Sequence, residues 1–332
     1  QQRLDRNVTG APDAPALTRI LRLLYSPEEA DIARQMPTNF ASLGKLSRKL
    51  GVPADQLGDR LTAMAERGLV LDVERHGKRY FTVSPVVIGF FEYTFMRTRG
   101  DLPMAELAQL FDEYLFHDDR FARAVFAGET QIGRSLVREE ALLTEDHVEI
   151  LDWERASAIV ESAASHAVSL CACRHHHSHL GTACDKPQRT CMTFGYAADM
   201  LVRNGIAEPI SKAESMQLLA ECKEAGLAQT ADNVQRNVSY ICNCCGCCCG
   251  MMGAIRTFDL RNAIVSSNWI SEVDLARCNG CGRCAQACPV KAIDIVVGEP
   301  QGHKRPRWAV RDADLCLGCG VCYAACKRGA MH

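Results

Sequence analysis

The stretch that decides the reading of this chain is Cys278 to Pro289, CNGCGRCAQACP, with four cysteines in eleven residues and a proline behind the last. Thirty-eight residues later it recurs as CLGCGVCYAACK, Cys316 to Lys327, and Ala292 likewise has its counterpart in Ala330. The segment is therefore an internal duplication. Spacings of two, two and three residues are too tight for neighbouring cysteines to pair with each other, and they suit thiolates that converge on one metal-bearing object. Gly280, Gly282, Gly318 and Gly320 let the backbone curl close to it. Zinc also favours four thiolates, but zinc ribbons use two separated Cys-x2-Cys knuckles instead of this run ending in a proline. Lys327 stands where the first repeat has Pro289, a change that alters the loop and removes no ligand.

This paired motif resembles the bacterial two-[4Fe-4S], or dicluster, ferredoxin family. The resemblance implies that three cysteines of one repeat share a cluster with the fourth of the other. One cluster would take Cys278, Cys281, Cys284 and Cys326, and the other Cys316, Cys319, Cys322 and Cys288. It implies electron transfer, because a cubane with four thiolates has no open iron for substrate. The polar stretch 298–307 between the repeats reads as a solvated basic hairpin and a plausible docking edge.

Working outward, the chain has 332 residues, enough for two or three domains, and its 47% hydrophobic and 23% charged residues are those of a folded protein. A formal charge of -2 gives no electrostatic case for nucleic acid or a membrane surface. No apolar run approaches the roughly 20 residues a membrane helix needs, and the start has no signal-peptide pattern. The expected location is cytoplasmic, without membrane insertion. There a reducing environment keeps the nineteen cysteines, all at or after Cys171, as thiols.

Ten of them lie upstream of the duplication in two groups that invite metal. The first is Cys171, Cys173, Cys184 and Cys191, in CACRHHHSHLGTACDKPQRTC, enough thiols for a third cubane. Ala167 to Cys173 reads as a strand followed by a polar loop. His175, His176, His177 and His179 belong to that loop; one of them could replace a thiolate or bind a separate metal, although a polar loop explains them. The second is Ile241 to Gly250, ICNCCGCCCG, with Cys242, Cys244, Cys245, Cys247, Cys248 and Cys249. Adjacent cysteines in extended chain point to opposite sides, so these six cannot all serve one ordinary cluster. Either some combine with the first group to hold two clusters on opposite faces, or they hold a non-cubane site. A helix expected from about Met251 would aim its amides at the anionic group. Cys222 falls on the apolar face of a helix opened by a capping box at Ser211 and reads as a structural thiol.

The whole pattern, Cys-x-Cys-Arg, two spaced cysteines, Cys-Asn-Cys-Cys-x-Cys-Cys and then the duplication, resembles a family of multi-cluster iron–sulfur proteins of anaerobic bacteria. Its Cys-Cys-Gly triplets are similar to those of heterodisulfide reductases but lack their long regular separations.

The expected fold class is α+β in four parts: a winged-helix-like domain (1–95), a helical connector (96–165), a Cys-rich α/β domain (166–265) and the two-cluster ferredoxin domain (266–332). In the first part, helical periodicity from Leu43 to Met64 precedes two strands around His76-Gly77. Its second helix opens with acids, Asp55 and Asp59, and residues 45–85 hold eight basic and five acidic side chains. That mild excess favours protein binding over DNA. Arg97, Arg99, Arg120, Arg123 and Arg134 in the connector could form a partner-facing surface, but a solvated helix face is the preferred reading.

Function follows as an expectation. The chain passes low-potential electrons through two [4Fe-4S] clusters and one or two more, about 12 to 16 irons in all. It is more a subunit serving a redox enzyme or another electron carrier than a stand-alone enzyme, and homo- or hetero-oligomers are compatible with it. The alternative is a catalytic cluster at Cys242–Cys249; a redox-sensing transcriptional regulator ranks last.

Overall fold

The computed structural model describes residues 1–7, 9–141, 154–298 and 306–332. Residues 299–305, most of the basic hairpin, lie outside the described residues. Helix and sheet are mixed throughout, in three separate sheets, which makes the fold α+β.

The N-terminal part begins with helices α1 (Pro15–Leu24) and α2 (Pro27–Gln35), the latter opened by a capping box in which Ser26 and Glu29 satisfy each other's backbone amides. A short strand β1 (Ala41–Ser42) precedes α3 (Leu43–Leu50), α4 (Ala54–Glu66) and the hairpin β2 (Val70–Arg75) and β3 (Lys78–Val83), giving sheet order β1-β3-β2. His76 and Gly77, at φ 50° and 69°, form the tight turn that a two-residue hairpin connection requires. Leu46, Leu57, Leu61 and Met64 are fully buried, so the helical periodicity marks the inward face.

Next come α5 (Phe91–Phe95), α6 (Met104–Phe116) and α7 (Arg120–Phe126), packed around Phe90, Phe95 and Phe111. A strand, β4 (Gly133–Ser135), then breaks the helical reading of 96–165. It is an edge of the central six-stranded sheet, whose order is β4-β8-β9-β6-β5-β7 and whose neighbouring strands pair antiparallel. The other strands are β5 (His166–Leu170), β6 (Arg189–Phe194), β7 (Glu208–Pro209), β8 (Ala228–Asp232) and β9 (Tyr240–Cys244). Helices α8 (Ala156–Ser162), α9 (Ala172–His179), α10 (Gly195–Arg203), α11 (Lys212–Glu224) and α12 (Gly250–Phe258) connect and flank them.

Two expectations are corrected. The strand ends at Leu170, and Cys171 caps a helix that carries Cys173 and all four histidines, so the polar loop is α9. His176 is buried on it, its Nε2 donating to the Ala108 carbonyl over 2.9 Å, with its ring edge-on to Phe91 and Phe95. His175 reaches the Phe95 carbonyl at 2.7 Å. These rings dock α9 onto α5 and α6. Nor do the connector arginines form one solvated face: Arg97 donates to the carbonyls of Asn204 and Gly205, and Arg134 is buried. Arg120 and Arg123 do stay exposed, paired with Asp118 and Asp119.

Asp72, its side chain wholly buried on β2, accepts from Arg79 at 2.8 Å, Arg203 at 3.1 Å and Asn204 at 2.7 Å. It binds the N-terminal hairpin to the end of α10, and the two guanidinium groups and the Asn204 amide hold its carboxyl below the usual range against the opposing effect of burial.

The C-terminal part consists of α13 (Arg283–Ala287), the hairpin β10 (Ile293–Val297) and β11 (Arg307–Arg311), and α14 (Val321–Ala325). Gly282 and Gly320, at φ 80° and 72°, cap the two short helices in equivalent places, the structural echo of the sequence duplication.

Candidate metal centres

In the C-terminal part the eight thiols divide between the repeats. Cys278, Cys281, Cys284 and Cys326 line one small cavity together, so the last cysteine of the second repeat joins the first three of the first. Cys288 lies in the electrostatic surroundings of Cys316, Cys319 and Cys322. Burial pushes Cys319 up to about 12 and Cys322 up to about 11, with the neighbouring thiolates adding to it. Sulfurs crowded in this way are stabilised as thiolates when a cation binds between them. Backbone amides also point at the sulfurs. Ala292 N–H donates to Cys288 at 3.2 Å and Ala330 N–H to Cys326 at 3.3 Å, the two alanines that match across the repeat. Ala309 N–H donates to Cys278 at 3.4 Å. An all-thiol donor set with amide donors on the sulfurs suits an iron–sulfur cluster.

The upstream thiols sort into two sets on opposite sides of one segment. Strand β9 presents Cys242 and Cys244 on one face and Asn243 on the other. After it the chain turns, and Cys245, Cys247 and Cys248 swing away to meet Cys184. The sulfurs of Cys184, Cys245, Cys247 and Cys248 all lie within 4.8 Å of one another. Individual contacts are 3.7 Å for Cys184–Cys245, 3.9 Å for Cys184–Cys248 and 3.8 Å for Cys247–Cys248. Hydrogen bonding from Cys248 and from Arg174 holds the Cys245 thiol well below its ordinary value.

Six thiols remain on the other side. All six line one cavity, where Cys171 and Cys173 influence each other, Cys173 influences Cys249, and Cys249 touches Cys244 at 3.4 Å. Cys244 in turn influences Cys242, and Cys242 influences Cys191 of β6. Cys171 and Cys249 are the N-caps of α9 and α12, and amides of Arg174, Gly250 and Met252 point at Cys171, Cys173 and Cys249. The helix after the cysteine run thus begins where sequence placed it. Thr230 and the neighbouring thiols lower Cys244 to about 6, the Cys242 contact contributing most. The cysteines of the first group do not stay together: Cys184 joins one set, while Cys171, Cys173 and Cys191 join the other. Cys222 belongs to neither and packs, buried, beside Leu227.

One functional residue was visible only as a letter in Cys-x-Cys-Arg. Arg174 is fully buried between the two upstream sets, donating to the Asn243 carbonyl at 3.0 Å and to the Thr190 hydroxyl. Burial opposes its charge, but Cys171, Cys245 and Cys244 outweigh that and raise its pKa. Its Nε has no hydrogen-bond partner among the described residues. Asn243 is held in turn by the Thr190 carbonyl at 2.8 Å and by Gln229 at 3.0 Å.

Beside the six thiols lies an internal cavity of about 180 Å³, walled by apolar side chains such as Val87, Phe91, Phe116 and Phe258 and by Glu92. Burial raises the Glu92 carboxyl from 4.5 to about 7, although it accepts from Gly89 N–H at 2.7 Å. Because the folded-state value exceeds the unfolded one, ionisation costs nothing below about pH 4.5, costs progressively more up to about 7, and is constant above. Glu92→Gln is therefore expected to stabilise the protein at pH 8 by about 3 kcal/mol and to do little at pH 4.5. Thermal unfolding of both proteins at the two pH values checks this; an equal shift at both would reject it.

Residues 277–330 match the family model of the 4Fe-4S dicluster domain. No curated protein and no solved structure matches the chain. The C-terminal part is thus a dicluster ferredoxin-like domain, and the protein is an iron–sulfur protein that carries [4Fe-4S] clusters and transfers electrons. Among the described residues no helix is long and apolar enough to cross a membrane.

Proposed function

We propose that the chain is a multi-cluster electron conductor that links a partner redox enzyme or electron carrier to a thiol-rich centre in its own middle part. A bound [4Fe-4S] cluster takes up and gives back single electrons. The ligands in this reading are Cys278, Cys281, Cys284 and Cys326 for one cluster and Cys316, Cys319, Cys322 and Cys288 for the next. Cys184, Cys245, Cys247 and Cys248 hold a third. Residues 1–95 act as a winged-helix-like docking element and 96–165 as the brace that carries it, with 166–265 and 266–332 as the two cluster-bearing domains. Arg97, Arg203 and Asp72 support such a brace by tying the N-terminal hairpin to the middle part.

The observation that carries the proposal is one contact. Gly246, in the middle of the Cys245–Cys248 turn, lies so close to Pro289 that a Cβ on it would sit 2.8 Å from both the Cα and the carbonyl oxygen of that residue. Pro289 directly follows Cys288, so the third thiol set abuts a ligand loop of the ferredoxin-like domain. Backbone, not a flexible side chain, is what a Cβ would strike. Gly246→Ala is expected to cost about 1–3 kcal/mol in denaturant midpoint and to slow electron exchange between the two parts. An unchanged midpoint would show that the contact is loose.

The reading itself is tested with anaerobically reconstituted, reduced protein mixed with a one-electron acceptor such as methyl viologen. Cys316→Ala with Cys319→Ala should slow reoxidation of the middle-part centres at least about tenfold, one decade being worth about 1.4 kcal/mol of barrier. Reoxidation as fast as in the wild type would sink the proposal. A DNA-binding role has less support, since Arg67 near the end of α4 is engaged with Glu29 and the helix opens with Asp55.

A further inference from the structure

The six-thiol set has more ligands than one cubane accepts, and its internal arrangement is regular. All six line one cavity, and their electrostatic influence on one another runs in a single line, Cys171, Cys173, Cys249, Cys244, Cys242, Cys191. Its midpoint is the 3.4 Å contact between Cys249 and Cys244. Each half holds the same complement: one Cys-x-Cys pair, 171/173 or 242/244, and one single thiol supplied by a different element, Cys249 or Cys191. Three thiolates per half leave one corner of a four-iron core without a protein ligand.

We infer that Cys171, Cys173, Cys249, Cys244, Cys242 and Cys191 hold one iron–sulfur cluster of about eight irons, two four-iron cores joined through inorganic sulfide, with three protein thiolates on each. Arg174 supports this placement. Its guanidinium is buried, its Nε has no hydrogen-bond partner among the described residues, and it lies in the field of Cys171 in one half and Cys244 in the other. A large anionic cluster needs such a counter-charge where water is excluded. Amides at the starts of α9 and α12 contribute further donors to Cys171, Cys173 and Cys249. Glu92 lines the adjoining cavity, but its carboxylate is engaged with Gly89 N–H. The donor set is therefore thiolate.

This inference rests on the proposal that the upstream thiols bind iron–sulfur clusters, and iron counting separates the two. Full-length protein reconstituted anaerobically with iron-57 and sulfide should contain about 20 irons per chain, from two cubanes at the C-terminus, one at Cys184 and eight irons at the six-thiol site. About 16 irons would overturn the eight-iron cluster and leave the proposed function standing. About 8 would overturn both. Single alanine substitutions at all six positions provide a second measure that does not depend on any one variant folding. Each should remove or change the same Mössbauer component, and rescue by Cys191→Ser or Cys171→Ser should be partial. If any two of the six leave that component unaltered, the site is a cubane with two bystander thiols and the inference fails.

Discussion

Replacing Cys326 by alanine is expected to remove about four irons from the protein and to abolish the signal of a cluster otherwise liganded only by the first repeat. The reason is spatial. Cys326 lines the cavity of Cys278, Cys281 and Cys284 although it follows Cys322 by only four residues in sequence. The Cys316–Cys319–Cys322 cluster should keep its redox signal, whereas Cys288→Ala should reverse the pattern. Iron analysis with EPR of the reduced variants provides the check. If Cys326→Ala left the first-repeat cluster intact and removed the other, ligand exchange between the repeats would be refuted. A full loss of one cluster with retention of the second is the largest single effect expected from any point change in the C-terminal part.

Replacing Arg174 by methionine should drive the potentials of the middle-part centres more negative by on the order of 60 mV or more. Hydrogen bonds from a charged group are worth about 1.5–3 kcal/mol, and 1.4 kcal/mol corresponds to about 59 mV for one electron. The direction follows from charge: removing a cation from the field of Cys171, Cys244 and Cys245 makes each added electron less favourable. Methionine is of similar length and apolar, so the packing of a fully buried side chain is largely kept. Arg174→Lys should shift the potentials less, since it keeps the charge and loses the fork that reaches Asn243 and Thr190. The readout is an EPR-monitored redox titration of the three proteins. Identical midpoints would show that Arg174 only supports the fold.

Much of this was legible because local rules governed it. The His76-Gly77 hairpin, the Ser211 capping box and the start of α12 at Gly250 each depend on a few adjacent residues whose backbone preferences agree with their surroundings. The misreading of Cys171–His179 has a physical cause. Ala-Val-Ser-Leu-Cys-Ala-Cys alternates like a strand, and the His-His-His-Ser-His run behind it lacks an apolar stripe. Burial of His176 against Phe91 and Phe95 supplies the missing apolar face, and those residues come from helix α5, some eighty positions earlier. The arginines were misjudged for a similar reason, since two partners of Arg97, the carbonyls of Asn204 and Gly205, lie more than a hundred residues away.

The run at 242–249 shows where the division falls. Sequence by itself called for metal at the thiols, determined that the C-terminal eight belong to a duplicated two-cluster domain, and showed that six crowded cysteines exceed one cubane, because ligand count and spacing are local properties of the chain. Which thiols meet was decided only by the tertiary structure. Strand β9 ends between Cys244 and Cys245, sending Cys242 and Cys244 toward Cys191 and Cys171 and turning Cys245, Cys247 and Cys248 toward Cys184. A sulfur's partner depends on where distant strands and helices place their ends, and only the packed sheet brings those ends together.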